Sequence, residues 1–282
     1  MATDMPRETT SGAARRGMDP QQLERVVRIA APLALTILAL VAWEAMVRIK
    51  EIPPYILPGP LLVAESLVND WGTLAPSLLV TLKITLMALA VAIVGGVGLA
   101  ILFTASRWVE LALFPFAVIL QVTPIIAIAP LILIYVDSTY GALLICAWIV
   151  AFFPILSNTT LGLNSADHNL RNLFTLYGAS RWQQLRYLRL PAAMPYFLGG
   201  LRIAGGLSLI GAIVAEFAAG TAGTGSGLAY RILEAGYRLN IPRMFAALVL
   251  ISLTGIVIFL FFSLLSHLCL RRWHESAIRQ EN

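Results

Sequence analysis

Charge is what this sequence has least of. Of its 282 residues only 12% are Asp, Glu, Lys or Arg, roughly half the share of an ordinary globular domain. A chain so poor in charge cannot clothe a large water-facing surface, and the soluble domain that its length alone would suggest is excluded. Cysteine is nearly absent too. Cys146 and Cys269 stand far apart inside apolar segments, which excludes a disulfide framework and a CxxC site and leaves them as packing residues. His168, His267 and His274 are too scattered for a metal cluster. There is no HExxH, no GxSxG and no cluster of carboxylates, so a membrane enzyme lacks its convergent catalytic set. No GxxxxGK[ST] occurs either. The glycine-rich run Gly220-Thr-Ala-Gly-Thr-Gly-Ser-Gly227 lacks the phosphate-contacting lysine and reads as a flexible turn.

What fills the chain instead is apolar: 59% of residues are hydrophobic and the mean hydropathy is +0.81. A membrane-crossing helix needs about 20 mostly apolar residues, because the hydrocarbon core is about 30 Å thick. The runs predict an all-α polytopic membrane protein with about six spans, at about 29–47, 78–103, 111–136, 140–161, 196–217 and 244–270. The first run starts late and has no small-residue cleavage site after it, so it reads as a span and not a cleaved signal. The domain plan is a disordered cytoplasmic tail over 1–28, a transmembrane domain over 29–270 and a second cytoplasmic tail over 271–282.

The net charge of +5 comes from basic residues set between the apolar runs, which points to membrane orientation and not to nucleic acid. With the N-terminus cytoplasmic, that side receives Arg7, Arg15, Arg16, Arg25 and Arg28, then Arg107, the arginines between 171 and 202, and Arg271, Arg272 and Arg279. The outer side receives only Arg48, Lys50, Arg231, Arg238 and Arg243. Both termini are therefore expected in the cytoplasm. Lys83, near the outer end of the second span, is expected to snorkel outward. Prolines at 53, 54, 58, 60 and 76 argue against continuous helix between the first two spans, with a short amphipathic piece from Leu61 to Val68 lying on the membrane surface.

The longest cytoplasmic connection, about 162–195, predicts two short helices. One covers roughly Leu170 to Tyr177. Gly178 interrupts it, Ser180 is a suitable N-cap, and a second stretch is expected to close at Leu190-Pro191. On physical grounds alone the loop is equally well an interfacial connection whose arginines only set orientation.

The run from Gly178 to Pro191 resembles the signature loop of permease subunits in ABC importers. That pattern is Glu-Ala-Ala, three residues, Gly, nine residues, Ile, one residue, Leu-Pro. Gly178, Leu190 and Pro191 keep its spacing, Leu188 replaces the Ile, and Asn172-Leu173-Phe174 replace Glu-Ala-Ala. Further segments resemble the nitrate, sulfonate, taurine and pyrimidine-precursor subfamily: Leu57-Pro-Gly-Pro60, Thr81-Leu82-Lys83, Pro124 to Leu131, Phe152 to Ile155, Gly200 to Ile203, Ala215-Glu-Phe217 and Arg271-Arg-Trp273. The resemblance implies a type I importer permease in the cell inner membrane, working as a homodimer with two ABC ATPase subunits and an extracytoplasmic substrate-binding protein. It implies no cofactor on this chain, ATP and Mg being held by the ATPase. It makes Asn172, Leu173, Phe174, Gly178, Ala179, Ser180, Arg181, Trp182, Leu185, Leu188, Leu190 and Pro191 the ATPase-coupling residues. Within the loop Trp182, Leu185 and Leu188 offer apolar contact, and Arg181, Arg186 and Arg189 can pair with acidic groups.

For the translocation path, Pro124 and Pro130 free carbonyls and can bend the third span. Gln121 beside them is a polar group in hydrocarbon, expected to face the interior as a substrate contact. Glu216 lies near the outer end of the fifth span, either bracing an outer gate or sitting in water. Glu44 is expected in a structural pair. Glycines 95, 96, 98, 205, 206 and 211 permit close helix approach. The alternative is an ion-coupled secondary transporter, for which Glu44 and Glu216 are the acidic candidates. The substrate expected is a small polar nutrient: a sulfonate, nitrate, taurine or, leaning on Gln121-Val-Thr-Pro124, a pyrimidine-type compound.

Overall fold

In a computed structural model, residues 20–220 and 225–271 are described. The tail over 1–19, most of the C-terminal tail and residues 221–224 of the glycine-rich turn lie outside them. The described chain is helical and divides into two units, one ending at Ile52 and the other starting at Pro53.

The first unit is α1 (Pro20–Ile49). Its apolar stretch, Ala30–Ile49, is long enough to cross a membrane. Pro32 sits inside it, and the Thr36 hydroxyl donates to the Pro32 carbonyl at 2.9 Å. Glu44 pairs with Arg48 one turn along the same helix, at 2.6 Å.

The second unit contains α2 (Pro60–Asn69), α3 (Trp71–Ala105), α4 (Arg107–Val122), α5 (Ile125–Tyr135), α6 (Thr139–Asn164), α7 (His168–Leu176), α8 (Arg181–Gln184), α9 (Leu190–Ala219), α10 (Leu228–Tyr237) and α11 (Ile241–Leu270). The short amphipathic piece read between the first two spans is α2. Helices α3, α6 and α9 form the centre, with α11 against α9. Their shared core includes Phe103, Ile155, Leu156, Leu163, Ala204 and Phe262.

The seam between α6 and α9 is made of absent side chains. A Cβ on Gly200 would lie 2.8 Å from the Pro154 carbonyl oxygen, and one on Gly211 would lie 2.9 Å from the Ala147 Cα. At that spacing only glycine lets the two backbones meet. Gly96 and Gly205 serve the same purpose against Ile155 and Phe262, whereas Gly98 and Gly206 face open space.

The third span, expected to bend at its prolines, goes further than a bend. It breaks into α4 and α5, bent by 102°. The cause is local. Proline disfavours helical backbone in the residue before it, and Thr123 is extended at φ −69°, ψ 123°. The Thr123 hydroxyl turns back to the Ile119 carbonyl at 2.6 Å, and the Pro124 carbonyl starts the next helix by accepting from Ala127 at 3.0 Å. Pro130, also expected to bend the span, lies inside α5.

Because successive spans alternate in direction, one end of this unit gathers α2, α10 and the N-termini of α3 and α11. The opposite end carries α7 and α8.

Candidate coupling surface and translocation path

The α7–α8 knob is built by local hydrogen bonding. Asp167 caps α7 by accepting from the N–H groups of Asn169 and Leu170 at 2.7 and 3.2 Å. The helix ends in a Schellman motif: Ala179 N–H donates to the Phe174 carbonyl and Gly178 N–H to the Thr175 carbonyl. Gly178 sits at φ +68°, and nothing lies within 4 Å of where its Cβ would be. The glycine is therefore required by its own left-handed backbone, not by a neighbour. Ser180 then starts α8 with a capping box: Gln183 N–H donates to the serine hydroxyl at 3.2 Å, and Ser180 N–H donates to the Gln183 side chain at 2.7 Å.

The expected stop at Leu190-Pro191 is overturned. Residues 181–219 run as one helical stretch. Leu185–Arg189 widen into a π turn, in which Leu190 N–H donates to the Leu185 carbonyl. Pro191, which has no N–H to give, follows directly in the first turn of α9. The wider turn relieves the clash that a proline ring makes with the carbonyl four residues earlier. The knob is thus joined rigidly to the fifth span.

The sequence-named residues separate into two sets. Asn172, Leu173, Gly178, Ser180, Arg181 and Trp182 are exposed, and Phe174 and Ala179 are half-buried. By contrast Leu188 is only 8% exposed, and Leu185 and Leu190 pack on the core. Leu185 and Leu188 therefore anchor the knob from beneath and do not present the apolar contact read for them; Pro191 is half-buried above them. Sequence reasoning passed over Leu176 and Tyr177, which stand 84% and 83% exposed on the knob. Their signal was present in the apolar and aromatic residues gathered at the end of α7, Leu173-Phe174-Thr175-Leu176-Tyr177. A cleft of about 380 Å³ lies between the two short helices, lined by Phe174, Tyr177, Gly178 and Tyr187 among others.

Gln121 and Pro124 lie at the break between α4 and α5 and are exposed on the chain's own surface, so Gln121 does not face the interior of its own helix bundle. A polar group at a helix break in a span is tolerated where water or another protein surface meets it.

Glu216 does not sit in water. It is 2% exposed. One carboxylate oxygen accepts from the Thr81 hydroxyl at 2.8 Å, and the other accepts from Ala229 N–H at 3.0 Å. Thr81 in turn accepts from Leu228 N–H at 2.9 Å. A carboxylate on α9 and a hydroxyl on α3 thus satisfy the free N–H groups at the start of α10, where the helix dipole also favours negative charge. Outside this latch, Arg231 donates to Ser77 at 2.8 Å and pairs with Glu234 at 2.7 Å. Arg243 pairs with Asp70, which also accepts from Ser66 at 2.8 Å. The Arg243 hydrogen bond holds the Asp70 carboxyl below the ordinary range, as Arg231 does for Glu234. Lys83 reaches outward over the Tyr140 ring, 5.3 Å from its centroid.

Residues 92–273 match the family described as binding-protein-dependent transport system inner membrane component. The chain belongs to this family. It is 34% identical over 252 residues to the riboflavin transport system permease protein of Chloroflexus aurantiacus, covering 87% of this chain and 90% of that one. It is 32% identical over 236 residues to the formylaminopyrimidine transport permease protein of Halalkalibacterium halodurans, covering 83% and 92%. It is 26% identical over 275 residues to the nitrate import permease protein of Synechocystis, covering 94% and 98%. In fold it matches a chain from the crystal structure of an amino acid ABC transporter with histidines, with a TM-score of 0.59 and 20% identity over 73% of this chain and 97% of that one. The type I importer permease fold follows. This permease is a multi-pass inner-membrane transport subunit, not itself an enzyme.

Proposed function

We propose that this ABC permease forms, with a second copy of itself, the translocation path of an ATP-driven importer for a small nitrogen heterocycle. Two copies of an ATPase subunit, which carry ATP and Mg, dock on the α7–α8 knobs at the cytoplasmic end. A substrate-binding protein delivers its cargo at the opposite end, around α2 and α10. Both termini of the chain face the cytoplasm, in line with the weight of arginine on that side.

The observation that carries this reading is the exposed apolar knob itself. Leu176, Tyr177 and Trp182 project from two capped helices, the second of which continues without a break into α9. A rigid lever of that kind transmits the closure of a docked partner into movement of a core helix. The heterocycle is supported by the names of two relatives above 30% identity, since riboflavin and formylaminopyrimidine both contain a pyrimidine ring. Gln121 and Pro124, exposed at the helix break, are the positions proposed to meet the cargo or the second copy. The ion-coupled alternative is not favoured, because Glu216 is buried and both of its carboxylate oxygens are taken up by the Thr81 hydroxyl and the Ala229 N–H.

The test is purification of the tagged chain from membranes with its bound partners. An ATPase subunit recovered with the native chain, and lost with Gly178→Asp, supports the reading. A chain that purifies alone and drives uptake in vesicles without ATP would sink it.

A further inference from the structure

A second cleft, of about 560 Å³, lies where α3 ends beneath α8. Its walls are unlike each other. The α3 side is mostly apolar, with Ile101 and Ala105 beside Thr104; the α8 side carries Arg181 and Arg189 around Leu185. Among the described residues neither arginine has an ion-pair partner, and Arg171 adds a third positive charge acting on Arg189. Ser180, Gln183 and Gln184 are neutral and already hydrogen-bonded within the turn. A concave site of this size, with unneutralised arginines, is built for an anion.

Position selects the kind of anion. The cleft sits where the long apolar stretch of α3 stops at Ala105 and the polar turn at Ser106 begins. That is the level of the membrane surface. The apolar wall continues down the α3 surface into the span, so a ligand with a charged head and an apolar body meets both walls in order.

We propose that this cleft binds the phosphate headgroup of an anionic phospholipid of the cytoplasmic leaflet, held by Arg181 and Arg189 with its glycerol end against Ile101 and Ala105. Basic pockets between helices at the inner membrane surface hold such headgroups by the same attraction. The bound lipid neutralises the arginines at the root of the knob and seats α8 against the end of α3. The leaflet rests on the proposed orientation. The binding itself does not, and it is tested in detergent, where orientation has no bearing.

The full chain in mild detergent is mixed with phosphatidylglycerol or phosphatidylcholine of identical acyl chains, and bound lipid is counted by native mass spectrometry. Phosphatidylglycerol is expected to be retained roughly tenfold better, the size two near-surface arginines give after partial screening. The double variant Arg181→Gln/Arg189→Gln is expected to lose that preference. Ala105→Glu, which leaves both arginines in place and sets a carboxylate beside them, is expected to lose it as well. Arg186→Gln, on the same stretch but outside the cleft, is expected to keep it. Millimolar glycerol phosphate that displaces the lipid would identify a free-phosphate site and overturn the proposal. Equal retention of the two lipids would overturn it too, as would a preference that survives both cleft variants. If the cleft variants keep the lipid preference but lose the co-purifying ATPase, the arginines belong to a protein interface and the proposal fails.

Discussion

The carboxylate of Glu216 occupies the space that a side chain at position 227 would need; a Cβ on Gly227 would overlap all three of its carboxyl atoms. The same carboxylate accepts the N–H of Ala229, two residues further on. A residue on a core span and a glycine before a short helix are therefore fitted to one another, and the latch that holds α10 depends on both.

Gly227→Ala is expected to lower the thermal stability of the purified chain by about 1–3 kcal/mol, the usual cost of forcing extra volume into a packed site. Glu216→Ala leaves the Ala229 N–H and the Thr81 hydroxyl without their acceptor and is expected to cost a similar amount. Since Glu216→Ala also empties the space that Gly227→Ala needs, the double variant is expected to lose clearly less than the sum. Strict additivity in a thermal-shift cycle would show that the two positions are not coupled.

Gly178→Asp is expected to abolish transport while leaving membrane insertion intact. The left-handed backbone at Gly178 costs a non-glycine residue roughly 1–2 kcal/mol, less for aspartate than for most, so the bundle survives and the knob is re-aimed. Uptake assays alongside quantification of inserted protein separate the two effects. Normal uptake would count against the role assigned to the turn.

Leu176→Ser and Tyr177→Ser should reduce recovery of the ATPase without moving the melting temperature of the isolated chain, because neither side chain packs on the core. Leu188→Ala should do the opposite first. It opens a void under the knob and lowers stability by about 2–5 kcal/mol. Equal thermal effects of all three would contradict the division into a docking face and an anchor.

The Asp70–Arg243 contact joins the start of α3 to the start of α11, and its pH dependence has a definite sign. The Asp70 carboxyl is held below its ordinary value, chiefly by the Arg243 hydrogen bond. A carboxyl depressed in the folded state contributes stability above its unfolded pKa, about 3.9, and loses it as pH falls through the lower folded value. Glu234, depressed by Arg231, adds in the same direction. Melting temperature is thus expected to fall below about pH 4, and Asp70→Asn should lower stability at neutral pH while flattening that decline. An unchanged acid limb in the variant would show that the contact contributes nothing there.

The spans, the two short helices, the turn at Gly178 and the cap at Ser180 were legible in order along the chain, because each is decided within a few residues by apolar length, capping chemistry or backbone freedom. Pro124 was recognised as a bend, and Pro191 was misread as a stop. Both are prolines after apolar helix. What separates them is that Thr123 could turn extended, whereas the Leu185–Arg189 stretch, held from beneath by Leu188, could widen and carry the helix on. Glu216 in the sequence was one carboxylate near a span end. Its burial, and its pairing with Thr81 and the start of α10, come from residues 135 positions away and 13 positions away meeting in space, which no local pattern encodes. So the residues alone determined that this chain lives in a membrane, which segments are apolar enough to cross it and where the two short capped helices lie, since apolar length and local hydrogen bonding are properties of short segments. Only the tertiary structure decided which polar groups are enclosed and which leucines anchor or dock, because burial depends on helices distant in sequence packing together.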